Sequence, residues 1–464
     1  MKNALISMLV ILSGHTKVLA NTIPLSAVFE SIKAYHPSMK AMNAKREQTE
    51  FLSQRARGEF DLQFNQESRL RTSGYYDGQY IDQTITKPLE IYGADITARY
   101  RRGDGAFPIY EDYSRTESGG EASIGISLSL LKNSRIDSRR IGIKNADNQL
   151  SIGLSQEQIE INNLLFQGIN AYLSWYRAFK QTQAISDLVT LALVRRKGMH
   201  ARVASGDLAE ISKVEFETTL LRRQANLLQA KQSLRQSQQR LSFYWRSSNG
   251  QQKIINDTHF PSDDLVYIFK KVIFDEVWQE LVLNNHPEIA RLEGQVLVAK
   301  NELRLAQNNY LPTLDLELKV AEDLGTGSQS LNGTETFVGL TFSMPLERRK
   351  ERAERSIASV KLKEFTFKKQ ALVDRLRNDL NINITQLTTL EELAELRKNQ
   401  ADMAKLLEQQ EYIRFDAGDS EQFLLNTRET EAGQATLDAI EALIRWWQKK
   451  IQLIAISGQL NQIS

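Results

Sequence analysis

Histidines and cysteines are where catalytic or metal chemistry would be sought first, and here they are sparse. There are five histidines and no cysteine. His15 lies in an N-terminal apolar stretch, His36 and His286 each stand directly before a proline, and His200 and His259 have no partner at metal-ligand spacing. Without cysteine there are no disulfides, no thiolate nucleophile and no thiolate zinc site. Carboxylates are plentiful but fall along helical faces, and neither a glycine-rich phosphate loop nor a nucleophile elbow is present. The reading is of a non-enzyme with no metal and no cofactor.

A different pattern is specific because it is written twice. Arg202-Val203-Ala204-Ser205-Gly206-Asp207 matches Arg414-Phe415-Asp416-Ala417-Gly418-Asp419. Upstream, His36-Pro37 matches His286-Pro287, each opening a helix-like run with proline at the first helical position, where its missing N–H is not needed. Phe60, Leu62 and Phe64 match Leu314, Leu316 and Leu318, and Gly125 to Leu130 matches Gly339 to Met344. Four correspondences in one order describe a duplicated unit of helix, strands, long helix, glycine turn and helix. Gly206 and Gly418 suit a reversal that needs positive φ, and Asp207 and Asp419 are placed to cap the helix that follows.

The strands alternate strictly. Leu314, Leu316, Leu318 and Val320 share one face against Asp315, Glu317 and Lys319, and Ile124, Ile126, Leu128 and Leu130 oppose Ser123, Gly125, Ser127 and Ser129. One face suits lipid and the other water, although a soluble sheet with one buried face has the same period. The helices argue for the membrane. Asn133 to about Val203 and about Arg348 to Phe415 contain no proline, enough for roughly 100 Å each at 1.5 Å per residue. The runs from Leu208 to about Trp245 and from Ser420 to about Ser457 would return along them. Apolar positions such as Leu220, Leu221, Leu227, Leu228 and Leu234 recur at near-heptad spacing. Such hairpins need one another, or copies of themselves. Four strands cannot close a membrane barrel, and an open edge in lipid leaves backbone groups unpaired. Three copies would give twelve.

The net charge of +2 gives no electrostatic case for nucleic acid. Lys2, the apolar run from Ala4 to Leu12 and the Val18-Leu19-Ala20 end read as a signal peptide cleaved after Ala20. No later stretch reaches the ~20 apolar residues of a membrane helix, a test that says nothing of barrel strands.

With these elements in hand, the chain resembles the TolC-type outer-membrane factors. Asn309-Tyr310-Leu311-Pro312-Thr313-Leu314-Asp315-Leu316, Ser343-Met344-Pro345-Leu346 and the two Arg-x-x-x-Gly-Asp turns carry the resemblance. It implies a mainly helical chain with membrane strands, assembled as a homotrimer with a twelve-stranded β-barrel in the outer membrane and an α-helical barrel in the periplasm. It implies a passive exit duct for efflux or type I secretion, joined by a periplasmic adaptor protein to an inner-membrane pump or ABC exporter. By that resemblance Arg202, Gly206, Asp207 and Leu208, with Arg414, Gly418, Asp419 and Ser420, form the tips where the adaptor docks. Several relatives carry entrance aspartates on the helix after the second turn, but the positions aligned here are Leu424 and Thr427. Any gate is therefore apolar, around Phe423, Leu424 and Leu425, or built from displaced acids such as Asp416 and Glu421.

The expected organisation is a signal peptide over 1–20 and a first repeat over 21–248, with strands at about 59–130 and a hairpin at about 133–246. A linker over 249–275 supplies an equatorial segment, together with the C-terminal tail. A second repeat over 276–464 has strands at about 312–345 and a hairpin at about 348–457. Between its strands the first repeat is longer than the second, and the excess reads as an extra hairpin reversing near Gly93. It either decorates a loop or the barrel rim, or spans the membrane to give six strands per chain; twelve per trimer is the expected count. The competing reading is a secreted or periplasmic coiled-coil scaffold or adhesin without a channel.

Overall fold

A computed structural model describes residues 21–108, 114–263, 273–328, 331 and 333–462. The signal peptide lies outside them, as does most of the last part of the linker. The elements in chain order are β1 (Thr22–Ile23), α1 (Leu25–Tyr35), α2 (Pro37–Arg57), β2 (Gln63–Leu70), β3 (Gly78–Pro88), β4 (Asp95–Gly105) and β5 (Glu121–Ser129). Then come α3 (Ser138–Ala204), α4 (Glu210–Tyr244), β6 (Phe260–Pro261), α5 (Glu276–Asn285) and α6 (Pro287–Asn309). β7 (Thr313–Asp323), β8 (Thr334–Ser343), α7 (Arg349–Asp416) and α8 (Gln422–Ile456) complete the chain. No helix among the described residues is long and apolar enough to cross a membrane.

The chain divides into two compact units. One holds residues up to Ala44, Glu157–Pro287 and Val373–Ser464; the other holds Lys45–Gln156 and Glu288–Leu372.

The first unit is helical. Its core gathers Val28, Phe29 and Ile32 of α1, Leu165, Tyr172, Leu173 and Trp175 of α3, Leu241 of α4, and Trp447, Ile451 and Ile454 of α8. The Tyr172 hydroxyl donates to the Ile23 carbonyl at 2.7 Å and accepts from the Ser262 N–H at 3.1 Å, tying β1 and the segment around β6 to α3. β1 and β6 themselves pair in parallel. The N-terminal β1–α1 segment thus joins the linker and the C-terminal tail in one cluster, a share the sequence reading did not assign to it. The histidines before the prolines are buried structural groups. The extended backbone of His36 and His286 ends α1 and α5, so that Pro37 and Pro287 open α2 and α6. The His36 Nδ1 accepts from the Ser38 N–H at 3.2 Å, and the His286 Nε2 donates to the Ile456 carbonyl at 2.7 Å.

The second unit carries one six-stranded antiparallel meander in the order β2-β3-β4-β5-β7-β8. The extra hairpin expected near Gly93 is part of this sheet, as β3 and β4. The alternation in 78–88 and 95–105 has the same period as in the other strands, and here β3 and β4 hydrogen-bond on both sides instead of standing off as decoration. Phe60 and Leu62 stand outside β2. Gly58–Phe60 is a turn of 3-10 helix, closed by the Asp61 N–H on the Gly58 carbonyl at 3.0 Å, and Phe60 is buried with Arg139 over its ring. The start of α3 is set by Asp137, whose carboxylate accepts from the Arg140 N–H at 2.8 Å. Before it, Asn133 takes a positive φ and exchanges two 3.1 Å hydrogen bonds with Asn308.

Burial, then the Arg246 charge, hold the His36 pKa below its ordinary 6.5. A base whose folded pKa is depressed leaves the fold fully stable above about 6.5 and weakens it as pH falls through the lower folded value. Thermal unfolding followed by circular dichroism should show this acid loss, and His36→Asn, which keeps an acceptor for the Ser38 N–H, should flatten it.

Candidate functional site

Both Arg-x-x-x-Gly-Asp segments fold into the same helix end. At the end of α3 the Asp207 N–H donates to the Arg202 carbonyl at 2.9 Å and the Gly206 N–H to the Val203 carbonyl at 3.0 Å. At the end of α7 the Asp419 N–H donates to the Arg414 carbonyl at 2.8 Å and the Gly418 N–H to the Phe415 carbonyl at 3.2 Å. These are paired Schellman closures, which need a left-handed residue at the glycine position; φ is +81° at Gly206 and +84° at Gly418. A β-carbon would meet nothing within 4 Å at either glycine, so backbone conformation alone demands them.

The aspartates do not cap the next helices. The residues preceding α4 and α8 are Ala209 and Glu421, and neither makes a side-chain cap. Asp207 lies two residues too early and instead binds the Arg202 Nε at 2.7 Å, bracing its own turn. In the second turn the Arg414 guanidinium donates to the Asp419 carbonyl at 3.2 Å, while the Ser420 hydroxyl bonds Glu411. The Arg202 guanidinium lies 5.0 Å from the centroid of the Phe415 ring, so the two turns, more than 200 residues apart, stand side by side. Gly206, Asp207, Arg414, Gly418 and Asp419 are exposed; Arg202, Leu208 and Ser420 are half-buried.

Behind the turns sits an ion cluster with no signature in the sequence. Glu429 of α8 is 2% exposed and is held by Arg195 of α3 and, at 2.9 Å, by Arg223 of α4. Arg195 also lies 4.5 Å from the centroid of the Tyr412 ring of α7, so all four long helices meet here. Burial lowers the pKa of both arginines and raises that of nearby Glu408. Each partner is a helical charge that would by default be solvated, and Glu429 lies 206 residues from Arg223.

No family model matches the chain, and no curated protein matches it. Solved structures do. The outer membrane protein VceC of Vibrio cholerae aligns with 94% of this chain and 96% of its own, at TM-score 0.65 and 12% identity. The MtrE outer membrane channel of Neisseria gonorrhoeae, solved in its open state, aligns with 94% of this chain and 88% of its own, at TM-score 0.66 and 13% identity. For the CmeC outer membrane channel of Campylobacter jejuni the values are 94%, 85%, 0.61 and 11%. This chain has the TolC-type fold.

Within that fold the candidate gate residues separate by burial. Leu425 is fully buried and belongs to the helix packing, whereas Phe423 is 68% exposed, with Leu424 and Thr427 half-buried. Thr427 spends its hydroxyl on the Phe423 carbonyl at 2.9 Å, and Asp416 and Glu421 are exposed. The exposed side of α8 near its start is therefore aromatic, with acids confined to the turn. Among the described residues no group of three histidine or acidic side chains is placed to hold a metal.

Removing one member of a buried ion group leaves the others uncompensated, at about 3–5 kcal/mol. Glu429→Ala should therefore lower the unfolding midpoint of the purified protein by several degrees, well beyond the effect of Glu421→Ala on the exposed turn. Circular dichroism melts of the two variants check this.

Proposed function

We propose that the chain is one protomer of a homotrimeric outer-membrane channel, a passive exit duct for cargo driven by an inner-membrane pump or ABC exporter through a periplasmic adaptor. One observation carries this reading: the sheet is inside-out by the rules of a soluble protein. Ile124, Leu318, Val320, Val338, Leu340 and Phe342 share one face and are exposed, whereas Arg101 and Glu121 on the other face are each 8% exposed. Water favours the reverse, so the apolar face is built for lipid and the polar face for an aqueous lumen. The two outer strands, β2 and β8, each pair on one side only among the described residues. Such edges in lipid would leave backbone groups unsatisfied at several kcal/mol each. Further copies of the chain would pair them.

In this reading the turns at Gly206 and Gly418 point into the periplasm as the adaptor-docking tips, and Phe423, with Leu424 and Thr427, lies at the periplasmic entrance. The exposed charges Asp207, Arg414 and Asp419 supply polar anchors on turns closed by the Schellman hydrogen bonds. Energy and cargo choice belong to the pump. The described part of the linker around Ile255, the tail around Leu460 and the β1–α1 segment would contribute to an equatorial belt of the helical barrel.

The protein should travel with outer membranes, resist carbonate and need detergent for release, at a particle mass near three protomers after detergent subtraction. A soluble monomer would contradict the channel and favour a coiled-coil scaffold. The double variant Asp207→Lys with Asp419→Lys should keep the trimer mass but lose export in cells; full export by that variant would remove the tips from the docking surface.

A further inference from the structure

We infer that all six strands of the sheet cross the membrane, so that three chains close an eighteen-stranded barrel rather than a twelve-stranded one; this rests on the channel reading above. The position of the β3–β4 turn carries the argument. β2 departs from the end of α2, and β5 ends where the chain heads into α3, so these termini mark the helix end of the sheet. Residues 89–94 reverse the chain at that same end. The Tyr92 carbonyl accepts from the Ser129 N–H at 3.3 Å, Arg139 in the first turn of α3 binds the Asp95 carboxylate at 2.9 Å, and Lys87 donates to the Phe60 carbonyl at 2.7 Å. A hairpin added to an outer loop would have its turn at the opposite end. This one runs the full height of the sheet, and its turn is a short periplasmic one of the kind membrane barrels use.

Length and surface agree. β3 and β4 have 11 residues each, the reach of a tilted membrane strand. The pairing register places Ile81 and Ile85 of β3, and Ile96, Ala98 and Tyr100 of β4, on the same face as Ile124, Leu318 and Val338. Ile81, Ile85, Ile96 and Tyr100 are between 36% and 47% exposed, as lipid-facing side chains of an isolated protomer would be. On that face Gln66 and Gln83 pair amide to amide at 2.9 Å, while Ser68, Gln79, Arg102 and Asp104 fall toward one end of the strands and Lys87 toward the other. On the other face Asp82 of β3 pairs with Arg99 of β4, Arg101 of β4 binds Glu121 of β5 at 2.6 Å, and Glu121 takes Lys319 of β7 at 3.1 Å. These charges lace the inserted hairpin into the wall on the water-facing side. Barrel diameter grows roughly in step with strand number, so the outer-membrane section would be about half again as wide as a twelve-stranded one.

The chain has no cysteine, so single-cysteine variants report cleanly. Ser73→Cys, in the exposed turn between β2 and β3, and Glu90→Cys, in the exposed turn between β3 and β4, are treated on intact cells with a polymer-coupled maleimide too large for porins. Six crossing strands predict labelling of Ser73→Cys on intact cells and of Glu90→Cys only after the outer membrane is opened. Ile91→Cys repeats the second arm should Glu90→Cys fold poorly. Labelling of the 73 and 90 positions alike on intact cells would overturn the eighteen-stranded barrel and leave the channel standing. If Ser73→Cys stays unlabelled there, the channel reading falls, and the inference with it.

Discussion

The proposed channel rests on the cost of an unpaired strand edge. In the proposed membrane setting the exposed apolar face of the sheet meets lipid, and lipid offers no hydrogen bonds to β2 and β8, which each pair on one side only among the described residues. One chain cannot close such a sheet upon itself with six strands, since about eight is the smallest workable barrel. The proposed assembly is therefore a condition for burying the sheet in a membrane. The helices meet a related constraint, because α3 and α7, at 67 and 68 residues, are far longer than a compact domain needs and must find partners along their length.

The helical unit shows how chain reversals and buried charge are reconciled. Each hairpin turns through a Schellman closure whose glycine is required by φ alone, so the choice of glycine does not depend on neighbouring side chains. Arg202 then does two jobs, bonding Asp207 within its own turn and lying over Phe415 of the other. Further up, Glu429 gathers arginines from both helices of the first hairpin. A buried acid among arginines is weak evidence of added stability, but it defines register between hairpins, because any slip would strand a charge.

Several of these features could be read from the residues and others could not, for identifiable reasons. The Arg-x-x-x-Gly-Asp turns were legible because a Schellman motif is local: positive φ selects glycine, and the spacing follows from the hydrogen bonds. The His-Pro helix starts were legible for the same reason, since proline dictates the backbone on both sides of itself. The capping role assigned to Asp207 and Asp419 failed by two residues, a distance that only the observed start of α4 and α8 could supply. The place of the extra hairpin could not be read, because period-two alternation is identical in a membrane strand and in a surface hairpin. What separates them is the partner each strand hydrogen-bonds, and pairing is non-local. Glu429 gave no signal, because its partners lie hundreds of residues away and a lone acid on a helix is solvated by default.

The central claim is a continuous aqueous duct formed by several copies of this chain, and its most direct test is electrical. Purified protein in detergent is added to a planar lipid bilayer under voltage, and current is recorded from single insertions. The account predicts discrete, uniform conductance steps that persist after unincorporated protein is washed away. A bilayer that stays silent while the same preparation is shown to be inserted would contradict it, leaving the paired hairpins to be explained as a scaffold without a pore.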